Sequence, residues 1–188
     1  MAMTMDDVFA DLRQGGEKTL EAMRKDLARL RTGRANLALL DGIKVSYYGT
    51  LSPLNQVATL SIPEPRQIVI QPWDQSMVTE IEKAIIASDL GLHPQNQGKI
   101  IRIVLPELTE ERRRELAKIV KKRNEEAKIA LRHHRKEAID MLREMEKEKE
   151  ISEDEMHKGQ KKVQEIVDQY SQKCDEIAAM KEKEIMEV

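Results

Sequence analysis

Cysteine occurs once in this chain, at position 174, so no disulfide can form within it and a reducing compartment is expected. Aromatic residues are almost missing: one Trp, one Phe and three Tyr make up 3% of 188 residues. With so little to stack on splayed bases, sequence-specific readout of single-stranded nucleic acid is not expected. No apolar run approaches the roughly 20 residues that cross a bilayer. Residues 1–7 lack the basic and apolar regions of a signal peptide and the Arg-rich character of a transit peptide, so a cytoplasmic protein free of membranes is expected.

The chemistry-bearing patterns are absent too. There is no glycine-rich phosphate loop, no Gly-x-Ser-x-Gly and no Cys/His pair with a plausible spacing. The four histidines do not form a ligand set: His133 and His134 are neighbours that point apart on a helix, His93 lies in a loop and His157 in a later helix. The acids are abundant but fall at positions where solvation is their ordinary role. No enzyme, no metal and no cofactor are expected.

What is there is charge and periodicity. Charged residues are 35% and hydrophobic ones 40%, a balance suited to long helices with solvated faces. Over residues 4–31, Val8, Leu12, Leu20, Met23, Leu27 and Leu30 recur at helical spacing, interrupted by Gly15-Gly16 and stopped near Gly33. Residues 34–106 change character, holding all six prolines. Residues 43–47, 57–62, 67–71 and 100–105 read as short strands and 77–87 as a helix, with Trp73 as a core anchor. From Thr109, a good N-cap followed by two glutamates, helical spacing resumes to about residue 149. Its apolar face is Leu116, Val120, Ala127, Leu131, Ala138, Met141 and Met145. Ser152 to Glu155 is a capping box opening a last helix, whose face is Met156, Gly159, Val163, Ile166, Tyr170, Cys174 and Ile177. The ten methionines read as core filler.

Three amphipathic helices that cannot bury their stripes alone predict an antiparallel three-helix bundle. The fold class is α+β, with the bundle formed by residues 1–33 and 107–188 and a small α+β module, residues 34–106, inserted between its first and second helices. The chain crosses between them twice, so Thr32, Gly33, Leu105 and Pro106 are candidate hinge residues.

The net charge of −2 hides a basic segment: between Arg112 and Lys136 eleven bases face three acids, a balance of +8. At about 100° per residue, Arg114, Lys121, Lys128, Arg132 and Arg135 fall within roughly 60° of one another beside the apolar stripe, an edge about 30 Å long. A row of this kind suits backbone phosphates, which arginine binds through two parallel donors. The plain alternative is a solvated face laced with i,i+4 pairs, but few acids face this edge. Lys122 adjoins it. Arg31 and Arg34 either extend the surface or cap the first helix.

Particular strings carry a resemblance. Arg31-Thr32-Gly33-Arg34-Ala35, Leu39-Leu40-Asp41-Gly42-Ile43 and Tyr47-Tyr48-Gly49-Thr50 are similar to the ribosome recycling factor family. So are Ser88-Asp89-Leu90-Gly91-Leu92, Leu108-Thr109-Glu110-Glu111-Arg112-Arg113 and Lys149-Glu150-Ile151-Ser152-Glu153-Asp154. The resemblance runs collinearly through the chain. It implies an L-shaped, hinged monomer in which a β/α/β domain interrupts a three-helix bundle. It implies binding to large-subunit ribosomal RNA and the splitting of post-termination ribosomes together with elongation factor G, the partner that uses GTP. Arg132 and Arg135 match the family's RNA-facing arginine pair, and Arg31 and Arg34 its Arg-Thr-Gly-Arg signature. Lys121, Lys122 and Lys128 come from the helical projection. His133-His134 depart from the family pattern, with His134 directed at the bundle core. The competing expectations are a helical holdase without RNA and an architectural RNA-binding protein unconnected with termination.

Overall fold

The computed structural model describes residues 3–187. In chain order its elements are α1 (Met5–Ala28), β1 (Lys44–Tyr47), β2 (Thr50–Pro53), β3 (Ala58–Glu64), β4 (Gln67–Pro72), α2 (Val78–Ala87), β5 (Pro94–Asn96), β6 (Ile101–Val104), α3 (Glu110–Lys147) and α4 (Glu153–Glu187). They form two compact units. One comprises the chain up to Leu27 with residues 117–183; the other comprises residues 28–116 with those from Glu184 onward. Residues 28–33, 107–116 and 184–187 thus cluster with the α+β unit.

The first unit is a helix bundle. Gly15 of α1 lies against His134 of α3, and Asp26 of α1 faces Arg123 of α3, so these helices run antiparallel. Gly16 against Tyr170 and Met5 against Gly159 make α1 and α4 parallel. Each helix buries one stripe: Val8, Leu12, Leu20, Met23 and Leu27; Val120, Ala127, Leu131, Ala138, Leu142 and Met145; Val163, Ile166, Tyr170, Cys174 and Ala178. Fully burying one such aliphatic side chain is worth roughly 1.5–3 kcal/mol, and this holds the helices together. Two stripe positions differ from the sequence reading. Leu142 is buried where Met141 is half-buried, and Ala178 where Ile177 is. A helix of about 3.6 residues per turn drifts against a strict heptad, which rotates the inward position by one residue over several turns.

Gly15 and Gly16 do not interrupt α1. A Cβ on Gly15 would stand 3.0 Å from the His134 ring, and one on Gly16 would stand 2.7 Å from the Tyr170 ring. The glycines let two large rings approach the helix backbone, which offsets their poor helix propensity. The helix ends at Ala28, before Gly33, and the Asn36 side chain donates to the orphan Ala28 carbonyl. The capping box at Ser152 is present: the Ser152 N–H donates to Glu155 at 2.7 Å, and the Glu155 N–H to the Ser152 hydroxyl at 3.2 Å.

In the second unit, an antiparallel sheet of order β3-β4-β6-β5 and the hairpin β1-β2 share a core with α2. The buried pairs Ile68 with Ile103 and Ile70 with Ile101 sit opposite one another across β4 and β6. Val45 of β1 and Ile81 and Ile85 of α2 join them. Strands β2 and β5 are not evident from the sequence: β2 is four residues, ends in proline and is largely exposed, and β5 is a three-residue polar strand. Trp73 is not a core anchor but 66% exposed, with its indole N–H donating to the Thr59 hydroxyl at 2.9 Å.

Candidate nucleic-acid interface

Helix α3 carries the basic residues, but the structure separates them by what they touch. In the second unit, Arg112 pairs with Glu115 at 2.9 Å and Arg114 with Glu110 at 3.3 Å. Arg123, in the bundle, pairs with Glu126 at 2.8 Å. These are neighbours along one helix, so the plain reading of a solvated face holds there, and such exposed pairs contribute little.

Among the described residues, the exposed Lys121, Lys122 and Arg132 of the bundle have no ion-pair partner and no side-chain hydrogen bond. Lys128 does. Its ammonium lies 2.7 Å from the Asp175 carboxylate of α4, and the Asn124 amide donates to the same oxygen at 2.8 Å. Hydrogen bonds from Lys128 and then Asn124 hold Asp175 below its ordinary range, while the Asp175 carboxylate holds Lys128 above its own despite burial. Lys128 is therefore largely neutralised, and it ties α3 to α4.

Arg135 is half-buried. Its Nη1 donates to the Gln164 carbonyl oxygen of α4 at 3.0 Å, and its Nε is buried with no partner. Among the described residues no carboxylate pairs with its fixed positive charge. His134 sits beside it, over Gly15, with 30% of its side chain exposed and Nδ1 3.5 Å from Glu137; His133 Nε2 lies 3.3 Å from the other oxygen of Glu137. One glutamate thus faces both histidines, so His134 closes the rim of the core.

Arg31 and Arg34 belong to the second unit. Both are exposed and lie beyond the end of α1, so neither caps its last turn. The guanidinium of Arg31 lies over Gly91, 3.4 Å from where a Cβ would stand, and Arg34 borders a shallow depression with Ile62, Pro63 and Glu64. Of the candidate hinge residues, Thr32 is 1% exposed and donates to Glu184 at 2.9 Å, and Gly33 is buried with φ +75°. The Leu105 N–H donates to the Arg66 carbonyl at 2.8 Å from within the small core, and Pro106 is exposed. Gln164 and Asp175 were missed from the sequence. The available signal was their position on α4 beside Val163, Val167 and Cys174, where a polar side chain reaches across the seam.

Among the described residues, no group of three or more His, Cys, Asp or Glu side chains could hold a metal ion, and no helix is long and apolar enough to cross a membrane. The family model described as "Ribosome recycling factor" matches residues 23–186. The ribosome-recycling factor of Syntrophus aciditrophicus is 55% identical over 183 residues, covering 97% of this chain and 99% of that protein. That of Geobacter sulfurreducens is 54% identical over 182 residues, covering 97% and 98%. A solution structure of ribosome recycling factor superposes over 100% of both chains with a TM-score of 0.79 at 44% identity. A second structure, of the Thermus thermophilus ribosome recycling factor and Escherichia coli elongation factor G bound to the E. coli post-termination complex, matches with a TM-score of 0.68 at 47% identity. It covers 97% of this chain and 99% of that one. Fold and relatives together define a translation factor that performs no chemistry of its own. The chain belongs to the ribosome recycling factor family.

Proposed function

We propose that this protein, acting as a monomer in the cytoplasm, binds large-subunit ribosomal RNA through the α3 edge and, with elongation factor G, splits post-termination ribosomes into subunits. The GTP consumed belongs to elongation factor G, and this chain contributes no cofactor. Lys121, Lys122, Arg132 and Arg135 supply the RNA-facing charge, Lys128 braces the edge, and Arg31 and Arg34 make a further contact from the second unit. Movement at Thr32, Gly33, Leu105 and Pro106 accompanies the splitting.

The observation that carries the reading is the row Lys121, Lys122, Arg132 and Arg135 on α3, which has no carboxylate partner among the described residues. Such a row is complementary in charge to a line of backbone phosphates, which would complete it. The family relative bound with elongation factor G to a post-termination complex supports the same partners.

The test is light scattering of post-termination ribosomes with elongation factor G and GTP, comparing wild type with the Arg132→Ala/Arg135→Ala double variant. Wild type is expected to split subunits and the folded double variant to fail. Equal splitting by both would remove the α3 edge from the mechanism, and no splitting by wild type would overturn the function.

A further inference from the structure

The two contacts that α4 makes with the basic edge differ in one chemical respect. Asp175 brings a full negative charge to Lys128 at 2.7 Å. Gln164 brings a neutral carbonyl oxygen to Arg135 at 3.0 Å. The first partner cancels its cation; the second holds its cation in place and leaves the charge intact.

An amide offers an acceptor at one end and two donors at the other, and a glutamine with its donors turned toward Arg135 would repel it. Asp168 removes that ambiguity. One helical turn further along α4, its Oδ1 accepts a hydrogen bond from Gln164 Nε2 at 2.7 Å. A carboxylate only accepts, so the NH2 end must face Asp168 and the carbonyl end must face Arg135. The relay runs Asp168, Gln164, Arg135, in which the negative charge acts on the amide and only the amide touches the guanidinium. The half-buried stem of Arg135 and its enclosed Nε restrict the remaining freedom of the group. A planar guanidinium fixed on one edge presents its other donors in one orientation, which lowers the ordering cost of meeting a phosphate.

We infer that Gln164, oriented by Asp168, is a positioning residue that presets the Arg135 guanidinium for an RNA phosphate without neutralising it. The inference rests on the proposed role of Arg135 in binding ribosomal RNA.

The test measures cosedimentation of the full-length protein with large ribosomal subunits across a salt series, with a melting curve for each variant. Gln164→Leu removes the acceptor and is expected to weaken association about three- to tenfold, the span of one net hydrogen bond. In an Arg135→Ala background the same change should have no further effect. Gln164→Glu keeps an acceptor toward Arg135 and adds the missing negative charge, but it gives up the donor to Asp168 and sets two carboxylates one helical turn apart. With the melting curve confirming a folded variant, it should weaken association and reduce the slope of log affinity against log salt by about 0.7–0.9, one phosphate contact. Weakening by Gln164→Leu of equal size in the Arg135→Ala background would overturn the inference, because a merely structural glutamine would act without the arginine. Unchanged association for Gln164→Leu alongside clear weakening by Arg135→Ala would overturn it while leaving the RNA-facing role of Arg135 standing. Unchanged association for Arg135→Ala would remove both.

Discussion

Tyr170 lies against Gly16 so closely that a single methyl group on that glycine would stand 2.7 Å from the ring. The ring cannot retreat easily, because its hydroxyl donates to Glu17 at 2.9 Å and its body is buried between helices. Gly16→Ala is therefore expected to destabilise the bundle by about 1–3 kcal/mol through overpacking, outweighing the helix propensity gained. Gly15→Ala meets the His134 ring at 3.0 Å, but that ring stands at the rim and can swing outward. Its effect should be within about 1 kcal/mol of zero. Urea unfolding of the two variants separates them, and equal effects would contradict the account.

The tie between Asp175 and Lys128 has a defined pH window. Asp175 titrates below its ordinary range when folded, so its contribution is present above about pH 4 and is lost as pH falls through the folded value. Lys128 titrates above its ordinary range, so its share is present below about pH 10 and is lost as pH rises further. Asp175→Asn should cost up to about 1 kcal/mol at pH 7, since the carboxylate is half exposed. At a pH below the folded value of Asp175 the two proteins should unfold at the same denaturant concentration. A difference that persisted there would show that the ion pair is not its cause.

Cys174 is wholly buried on α4, and burial first, then the neighbouring Asp175 charge, pushes its thiol above the ordinary range. Iodoacetamide should therefore modify it only when the bundle opens, at least about a thousandfold more slowly than free cysteine. Rapid modification of the native protein would reveal a local opening of α4.

Trp73 is the only tryptophan and stands largely in solvent. Acrylamide should quench it freely in the native state, and Trp73→Phe should change stability by less than about 1 kcal/mol. A shielded indole, or a large loss on substitution, would restore the core anchor that the sequence suggests.

The bundle was legible because its helices announce themselves through apolar spacing and caps: Val8 through Leu27 on α1, Ser152 and Glu155 at the start of α4. The α+β fold of the other unit follows from its prolines and short apolar runs, but β2 and β5 are too short and polar to stand out and are recognised by their pairing with β1 and β6. For Trp73, size and hydrophobicity argue for burial, but its strand-end position and its bond to Thr59 put it outside. The basic row was visible as a charge balance on α3. Which cations remain uncompensated was not, because Asp175 and Gln164 lie some 30–50 residues away in sequence and reach their partners only once α4 packs. For the same reason the sequence presents Gly15 and Gly16 as a weakness in α1: His134 and Tyr170, which fill the space they leave, come from other helices.

The discontinuous bundle bears on how the chain is made. The small core spans Leu39 to Leu105, so it can close once that stretch has left the ribosome. The apolar stripe of α1 has no partner until the α3 residues from Val120 and the α4 residues from Val163 have followed. The first helix synthesised is thus among the last to be sheltered. A pause in translation before residue 117 leaves Val8, Leu12, Leu20, Met23 and Leu27 facing water, and it is during that interval that a nascent chain of this design is most open to chaperones and to aggregation.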